Sequence, residues 1–223
     1  MKKTAFIAIV GRPNVGKSTL LNAILGEKVA IVSSKPQTTR NRITGIYTKD
    51  NEQYVFLDTP GIHSPKNSLG EFMVKTADTS MRDADAVVLV VDTGKEISSV
   101  EENVISYLEK SGIPSVLALN KIDAYDAETV ARTIEKYASR HSFNAFVPIS
   151  AKKNKNVDEL MNECSKFLNE SEWFFPEDMI TDQPERQIAA EIIREKILRT
   201  LNKEIPHGTA VVIEEFKDKD TLI

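Results

Sequence analysis

Two glycines, a lysine and a serine recur at the spacing G-x-x-x-x-G-K-S in Gly11-Arg12-Pro13-Asn14-Val15-Gly16-Lys17-Ser18. Such a set can grip a polyphosphate. The glycines let a loop turn tightly enough to aim successive backbone N–H groups at one anion. Lys17 adds a compact charge for the β- and γ-phosphates, and the Ser18 hydroxyl is an oxygen ligand for Mg²⁺. Asn14, Val15, Gly16, Lys17, Ser18 and Thr19 are the expected phosphate-side contacts. Asp58-Thr59-Pro60-Gly61 offers a carboxylate for the same Mg²⁺, usually through a water, and a glycine whose N–H can approach a γ-phosphate with no Cβ in the way. Asn120-Lys121-Ile122-Asp123 suits a purine. Asp123 can accept from N1–H and the exocyclic amine of guanine, a donor pair adenine lacks. Asn120 can donate to the ring's acceptor edge, and the Lys121 stem can lie over the base. In Ser150-Ala151-Lys152, the Ala151 N–H can donate to the guanine oxygen. Alone, each short cluster is also compatible with a solvated turn.

The elements that must position these clusters give them weight. Continuous apolar runs predict strands over Ala5–Val10, Ile43–Thr48, Tyr54–Leu57, Ala86–Val91, Ser115–Leu119 and Ala145–Ile149. Helical periodicity predicts helices over Lys17–Leu25, Leu69–Arg82, Ser98–Lys110, Ala127–Ser139 and Asn156–Asn169. Strand–helix alternation implies an α/β fold, a mostly parallel six-stranded sheet with helices on both faces. The exception is a hairpin joined by Lys49-Asp50-Asn51-Glu52-Gln53, which makes one edge antiparallel. Every cluster follows a strand, and ligands in such sheets bind at the carboxyl ends of strands.

In this order and placement, the clusters resemble the signature motifs of translation-factor-class GTPases, which have the P-loop NTPase fold. The resemblance implies a further motif, an effector loop within Ile31 to Asn41. Of Thr38 and Thr39 in Pro36-Gln37-Thr38-Thr39-Arg40, the second is the one that the family brings to Mg²⁺ and the γ-phosphate. More narrowly, Gly11–Ser18 and Asp58-Thr59-Pro60-Gly61-Ile62 are similar to the Era/TrmE group of bacterial GTPases. Phe175-Pro176-Glu177-Asp178-Met179-Ile180-Thr181-Asp182 and Glu191-Ile192-Ile193-Arg194-Glu195-Lys196 resemble the linker and first KH helix of group members carrying a C-terminal KH domain. The resemblance implies GTP/GDP and Mg²⁺ as ligands. It also implies small-subunit ribosomal RNA and the small ribosomal subunit as partners, a role in small-subunit assembly, and a cytoplasmic monomer with peripheral membrane association.

The step itself falls to Lys17, Thr39, Gly61 and Asn14. Ras-like GTPases orient the attacking water with a glutamine directly after the Asp-x-x-Gly motif. Here that place holds Ile62, which has no polar atom, so turnover is expected to be slow. Related enzymes with such an apolar residue hold K⁺ with a phosphate-loop asparagine, and Asn14 is at that place. A loop residue tolerant of an unusual backbone angle is the alternative reading of Asn14. His63 is read as a loop side chain rather than a base. Two other functions compete: a phosphate-loop ATPase or nucleotide kinase, against which Asn120 and Asp123 argue, and a non-hydrolysing guanine-nucleotide module.

The composition, 41% hydrophobic and 28% charged over 223 residues, is that of an ordinary globular chain. No apolar run approaches the length of about 18 residues that suggests a membrane span, and Met1-Lys2-Lys3 opens no signal peptide. The single cysteine, Cys164, excludes an internal disulfide and a Cys-rich zinc site, and its expected role is packing. A net charge of −4 leaves any RNA contact to a local patch. The expected organisation is a GTPase domain over 1–169, a linker over 170–184 and the start of an incomplete α+β KH-type domain over 185–223. Pro184-Glu185-Arg186 opens a helix to about Lys203 with Ile188, Ala189, Ile192, Ile193, Lys196, Ile197 and Leu201 along its apolar stripe and margin. Arg186, Arg194, Lys196 and Arg199 are read as a solvated face. Thr209–Phe216 is the expected next strand. No glycine follows Gly208, so the Gly-x-x-Gly clamp of a KH domain is missing from the chain.

Overall fold

The computed structural model describes residues 1–33, 38–39, 42–62, 68–200 and 209–215. Among these, seven strands form one sheet ordered β2-β3-β1-β4-β5-β6, with β7 against β1. They are β1 (Lys3–Val10), β2 (Ile43–Lys49), β3 (Glu52–Asp58), β4 (Ala86–Asp92), β5 (Ser115–Asn120), β6 (Ala145–Pro148) and β7 (Asn169–Glu170). The helices are α1 (Lys17–Leu25), α2 (Ser68–Arg82), α3 (Ser99–Ser111), α4 (Ala127–Ala138), α5 (Val157–Ser165) and α6 (Glu185–Thr200).

The strands are apolar on both faces because both faces are covered. Ile7 and Ile9 of β1 join Leu20, Phe56, Val116, Leu160 and Cys164 in one core. Their neighbours Ala8 and Val10 join Leu89, Val104, Leu117 and Tyr137 in the other. Strand alternation thus sends adjacent residues of β1 to opposite layers. Cys164 is fully buried, and burial pushes its thiol up to about 12, which fits a packing role. Among the described residues no helix is long and apolar enough to cross a membrane.

Four expectations are corrected. The hairpin turns more tightly than expected. Lys49 pairs with Glu52, and Asp50 turns with φ 54°, because the ladder extends as far as the turn allows. Helix α5 ends at Ser165, not Asn169, and Asn169–Glu170 becomes β7 against Lys3 and Thr4. Strand β4 begins its pairing only at Ile7, so that side of β1 has open backbone groups for β7 to fill. Residues 209–215 form no strand, since a strand needs a partner ladder to satisfy its backbone. The rest of that predicted strand, and Lys203 at the predicted end of α6, lie outside the described residues. On α6 the face expected to be solvated includes Arg194, which is buried.

Between β7 and α6 the chain packs on the hairpin. Buried Gln53 accepts from the N–H groups of Phe174 and Phe175 at 3.0 and 3.1 Å and donates to Phe175 O at 2.9 Å. Ile46 N–H donates to Ile180 O at 2.9 Å, and the Thr181 hydroxyl to Thr44 O at 2.8 Å. The open edge of β2 is thereby covered.

Candidate functional site

Strands β1, β3, β5 and β6 all end at one rim of the sheet, and each delivers a cluster there. The phosphate loop leaves β1 and enters α1 at Lys17, so its amides sit at a helix N-terminus. Gly16 adopts φ 104°, and a Cβ on it would lie 2.2 Å from Asn120 Nδ2. A Cβ on Gly61 would lie 2.7 Å from the Pro13 backbone, so only glycine lets this strand end close against the loop. Asn14 has a left-handed backbone, φ 63°.

Lys17 is buried, and its ammonium donates to the carbonyls of Gly11 and Arg12 at 3.1 and 3.0 Å. Burial lowers its pKa to about 8, and the Asp58 charge only partly opposes this. Asp58 is fully buried, with its pKa raised by burial to about 6 against the pull of Lys17 and of Ser18. Ser18 Oγ donates to Asp58 Oδ2 at 2.7 Å and lies 2.9 Å from Thr39 Oγ1. Asp58 Oδ1 has no hydrogen-bond partner among the described residues. Two hydroxyls and a carboxylate with an orphaned buried oxygen are hard oxygen donors that suit Mg²⁺, which binds through one or two carboxylates, waters and phosphate oxygens.

At the other end of the cleft, Asn120 Nδ2 donates to Val15 O at 2.8 Å and its Oδ1 accepts from Ala151 N–H at 3.0 Å. Asn120 therefore ties the phosphate loop to the last loop. The Ala151 N–H, expected to face a guanine oxygen, is donated to Asn120 in this structure. Ser150 Oγ donates to Asp123 Oδ1 at 2.6 Å. This bond holds the exposed Asp123 carboxyl below its ordinary range and orients it. Lys121, with φ 70°, donates through Nζ to Asp92 Oδ2 at 2.8 Å.

These groups surround one cleft of about 630 Å³. Of the expected site residues, Val15, Asp58, Ser150 and Ala151 do not line it, and each holds a residue that does. Thr39 lines the cleft, with its hydroxyl beside that of Ser18. Ile62 is buried in the core beside Val10 and Met81, its N–H donated to Gly11 O at 3.1 Å. His63, Pro36, Gln37 and Arg40 lie outside the described residues.

Local spacing did not reveal the long-range supports. Arg12 Nε donates to the fully buried Glu101 at 2.8 Å, which anchors the phosphate loop to the N-terminus of α3. Helix α6 grips the effector segment. Arg194, 2% exposed, donates to Thr38 O, so it is no part of a solvated face. Glu195, fully buried, accepts from Val32 N–H at 3.1 Å and pairs with Lys28. Arg199, half exposed, donates to Val32 O at 2.9 Å. The predicted apolar stripe is displaced accordingly: Ile192 and Ile193 are exposed, and Leu198 is buried instead. Polar side chains win the buried face because Thr38 O, the Val32 backbone and the Lys28 ammonium give them partners there.

Comparison with known proteins gives the family. Residues 6–121 match the family model for 50S ribosome-binding GTPases. GTPase Era of Clostridium novyi (strain NT) is 51% identical over 217 residues, which cover 97% of this chain and 74% of that protein. GTPase Era of Clostridioides difficile (strain 630) is 51% identical over 221 residues, 99% of this chain and 74% of that protein. The chain belongs to the Era family of GTPases. A crystal structure of Era in complex with MgGDPNP and nucleotides 1506–1542 of 16S ribosomal RNA superposes with a TM-score of 0.92 at 43% identity, covering 99% of this chain and 75% of that one. A variant of Aquifex aeolicus Era bound to GDP·AlF4⁻ gives 0.91 at 43% identity, covering 98% and 74%. The fold is thus the P-loop GTPase fold of the Era family, and this chain spans about three quarters of those relatives' length.

Proposed function

We propose that the cleft binds GTP with Mg²⁺ and hydrolyses it slowly to GDP and phosphate, as a switch that engages small-subunit ribosomal RNA during small-subunit assembly. One observation carries the nucleotide reading: a Ser150-oriented Asp123 carboxylate and the Ser18–Thr39–Asp58 oxygen cluster occupy opposite ends of one cleft. Asp123 selects guanine, and Lys17 holds the β- and γ-phosphates. Gly61 brings its N–H to the γ-phosphate, while Asn120, Lys121 and Lys152 frame the base and the Ala151 N–H steadies Asn120 from behind. Mg²⁺, held by Ser18, Thr39 and Asp58, would neutralise charge developing between the β- and γ-phosphates. Ile62 orients no water, which keeps the unassisted rate low. Asn14, in the phosphate loop, is the residue that would hold K⁺.

Residues 185–223 are read as the start of the KH-type unit through which the family's RNA contact runs. The RNA reading rests on the Era complex with 16S ribosomal RNA. On the same reading, the protein works as a cytoplasmic monomer with peripheral membrane association. Phosphate release from GTP, measured in K⁺ and in Na⁺ with ATP as competitor, tests the nucleotide reading. Slow release, faster in K⁺ and indifferent to ATP, is expected, and Asn14→Ala removes the K⁺ advantage. Release that ATP suppresses would reject guanine selection. Tight GTP binding with no release in either salt would favour the non-hydrolysing module that Ile62 makes conceivable.

A further inference from the structure

Asp92 ends β4, directly across the ladder from Asn120 at the end of β5. Its carboxylate therefore stands beside the Asn-Lys-x-Asp turn, although it belongs to none of the motif clusters and does not line the cleft. Asp92 Oδ2 accepts from Lys121 Nζ at 2.8 Å, and Oδ1 accepts from the Tyr125 hydroxyl at 3.5 Å. Tyr125 is seated against the backbone that follows Asp92, since a Cβ on Gly94 would lie 2.7 Å from its ring. Asp92 is 16% exposed and Lys121 39% exposed, so the pair sits at the rim with the carboxylate on its inner side.

Lys121 is held at both ends. Its backbone is fixed by a left-handed turn in which Ala124 N–H donates to Lys121 O at 2.9 Å and Ile122 N–H to Ile149 O at 3.2 Å. Its ammonium is fixed by Asp92. Between these anchors Lys121 lines the cleft together with Asp123 and Ala124. A free lysine stem samples many rotamers, and lying over a flat ring requires it to lose most of them.

We propose that Asp92, with Tyr125 behind it, is a positioning residue for guanine: it fixes the Lys121 stem as a ready-made cover for the base plane. The inference rests on the guanine reading of this cleft and adds to it a residue outside the motifs. Because Asp92 acts on the base and not the phosphates, it supports GTP and GDP equally. Because it acts through Lys121, its effect vanishes when Lys121 loses its charge. An ion pair this exposed is modest, so the loss on removing it is about two- to fivefold in affinity.

The test is a double-mutant cycle by calorimetry on the 223-residue chain, with Asp92→Asn, Lys121→Met and the pair titrated with GDP and with GTP·Mg²⁺. The proposal expects Asp92→Asn to weaken both ligands by the same factor, the gap to shrink in high salt, and no further loss in the Lys121→Met background. An unchanged affinity in Asp92→Asn overturns it. So does an equal further loss in the Lys121→Met background, which would mark a merely structural carboxylate. Asp123→Asn, titrated alongside with xanthosine diphosphate, separates the two failures. If that variant switches to xanthine while Asp92→Asn does nothing, only the positioning role falls. If it does not switch, the guanine reading falls with it.

Discussion

The two ends of the cleft are built differently. At the base end the key side chains are already engaged with protein partners: Asn120 with Val15 and Ala151, Asp123 with Ser150, Lys121 with Asp92. At the metal end Lys17 rests on loop carbonyls, Ser18 is shared between Asp58 and Thr39, and one oxygen of Asp58 has no hydrogen-bond partner among the described residues. The base end is preorganised, so binding there costs little ordering. On the proposed reading, the metal end consists of groups that exchange partners when a triphosphate and its metal arrive. A switch needs this asymmetry, because only contacts that differ between ligand states can shift a conformational equilibrium. The metal end is also the end that α6 holds from outside, through Arg194 on Thr38 and Glu195 on Val32.

Breaking the base end outright has the largest expected effect. Asp123→Asn should lower GTP affinity by about 10⁴ and raise affinity for xanthosine triphosphate, because the site would present a donor to a donor. Competition binding with both nucleotides measures it, and unchanged GTP binding would remove the preorganised base site from the comparison. At the metal end, Lys17→Ala should abolish tight triphosphate binding. Ser18→Ala should retain some nucleotide binding with a weakened Mg²⁺ dependence. Calorimetry with and without Mg²⁺ distinguishes them.

Loosening the outer support should have an intermediate effect. Glu195→Ala leaves the Val32 N–H and Lys28 without their buried acceptor and should destabilise the protein by roughly 1–3 kcal/mol in chemical unfolding. It should also weaken GTP·Mg²⁺ more than GDP, since Thr39 follows the gripped segment. Equal weakening of both ligands would detach α6 from the metal end.

The smallest effect is a pH dependence of the nucleotide-free protein. The raised carboxyl of Asp58 makes the folded state take up a proton between the ordinary carboxylate range and about 6, so stability falls as pH rises through that window. The lowered ammonium of Lys17 makes the folded state release a proton at about 8, so stability rises from there towards the ordinary lysine range. Together they produce a trough between about 6 and 8 that GTP·Mg²⁺ should fill. Urea midpoints against pH, with and without nucleotide, would show it, and a flat profile would mean that the metal end is not strained when empty.

The sheet and the motif positions were legible because their signals are local. Apolar runs of strand length, helix stops such as Gly26, and the glycines of the phosphate loop act within a few residues of themselves. Local preference is overruled where a distant partner intervenes. Asn169 continues a helical pattern but pairs with Thr4, because β1 had an open edge. Arg194 and Glu195 look solvated by composition but are buried, because the effector segment meets them with a carbonyl and an N–H.

Sequence by itself determined which chemistry the chain carries: the glycines, Lys17, Ser18, Asp58 and Asp123 have types and spacings that few other uses would require. Tertiary structure alone decided which residues hold that chemistry in place. Arg12 meets Glu101 across 89 residues, Lys121 meets Asp92 across 29, and Val32 meets Glu195 across 163. A charged side chain on a surface pattern has many candidate partners, and only the folded backbone brings one of them within hydrogen-bond reach and removes the water that would otherwise compete for it.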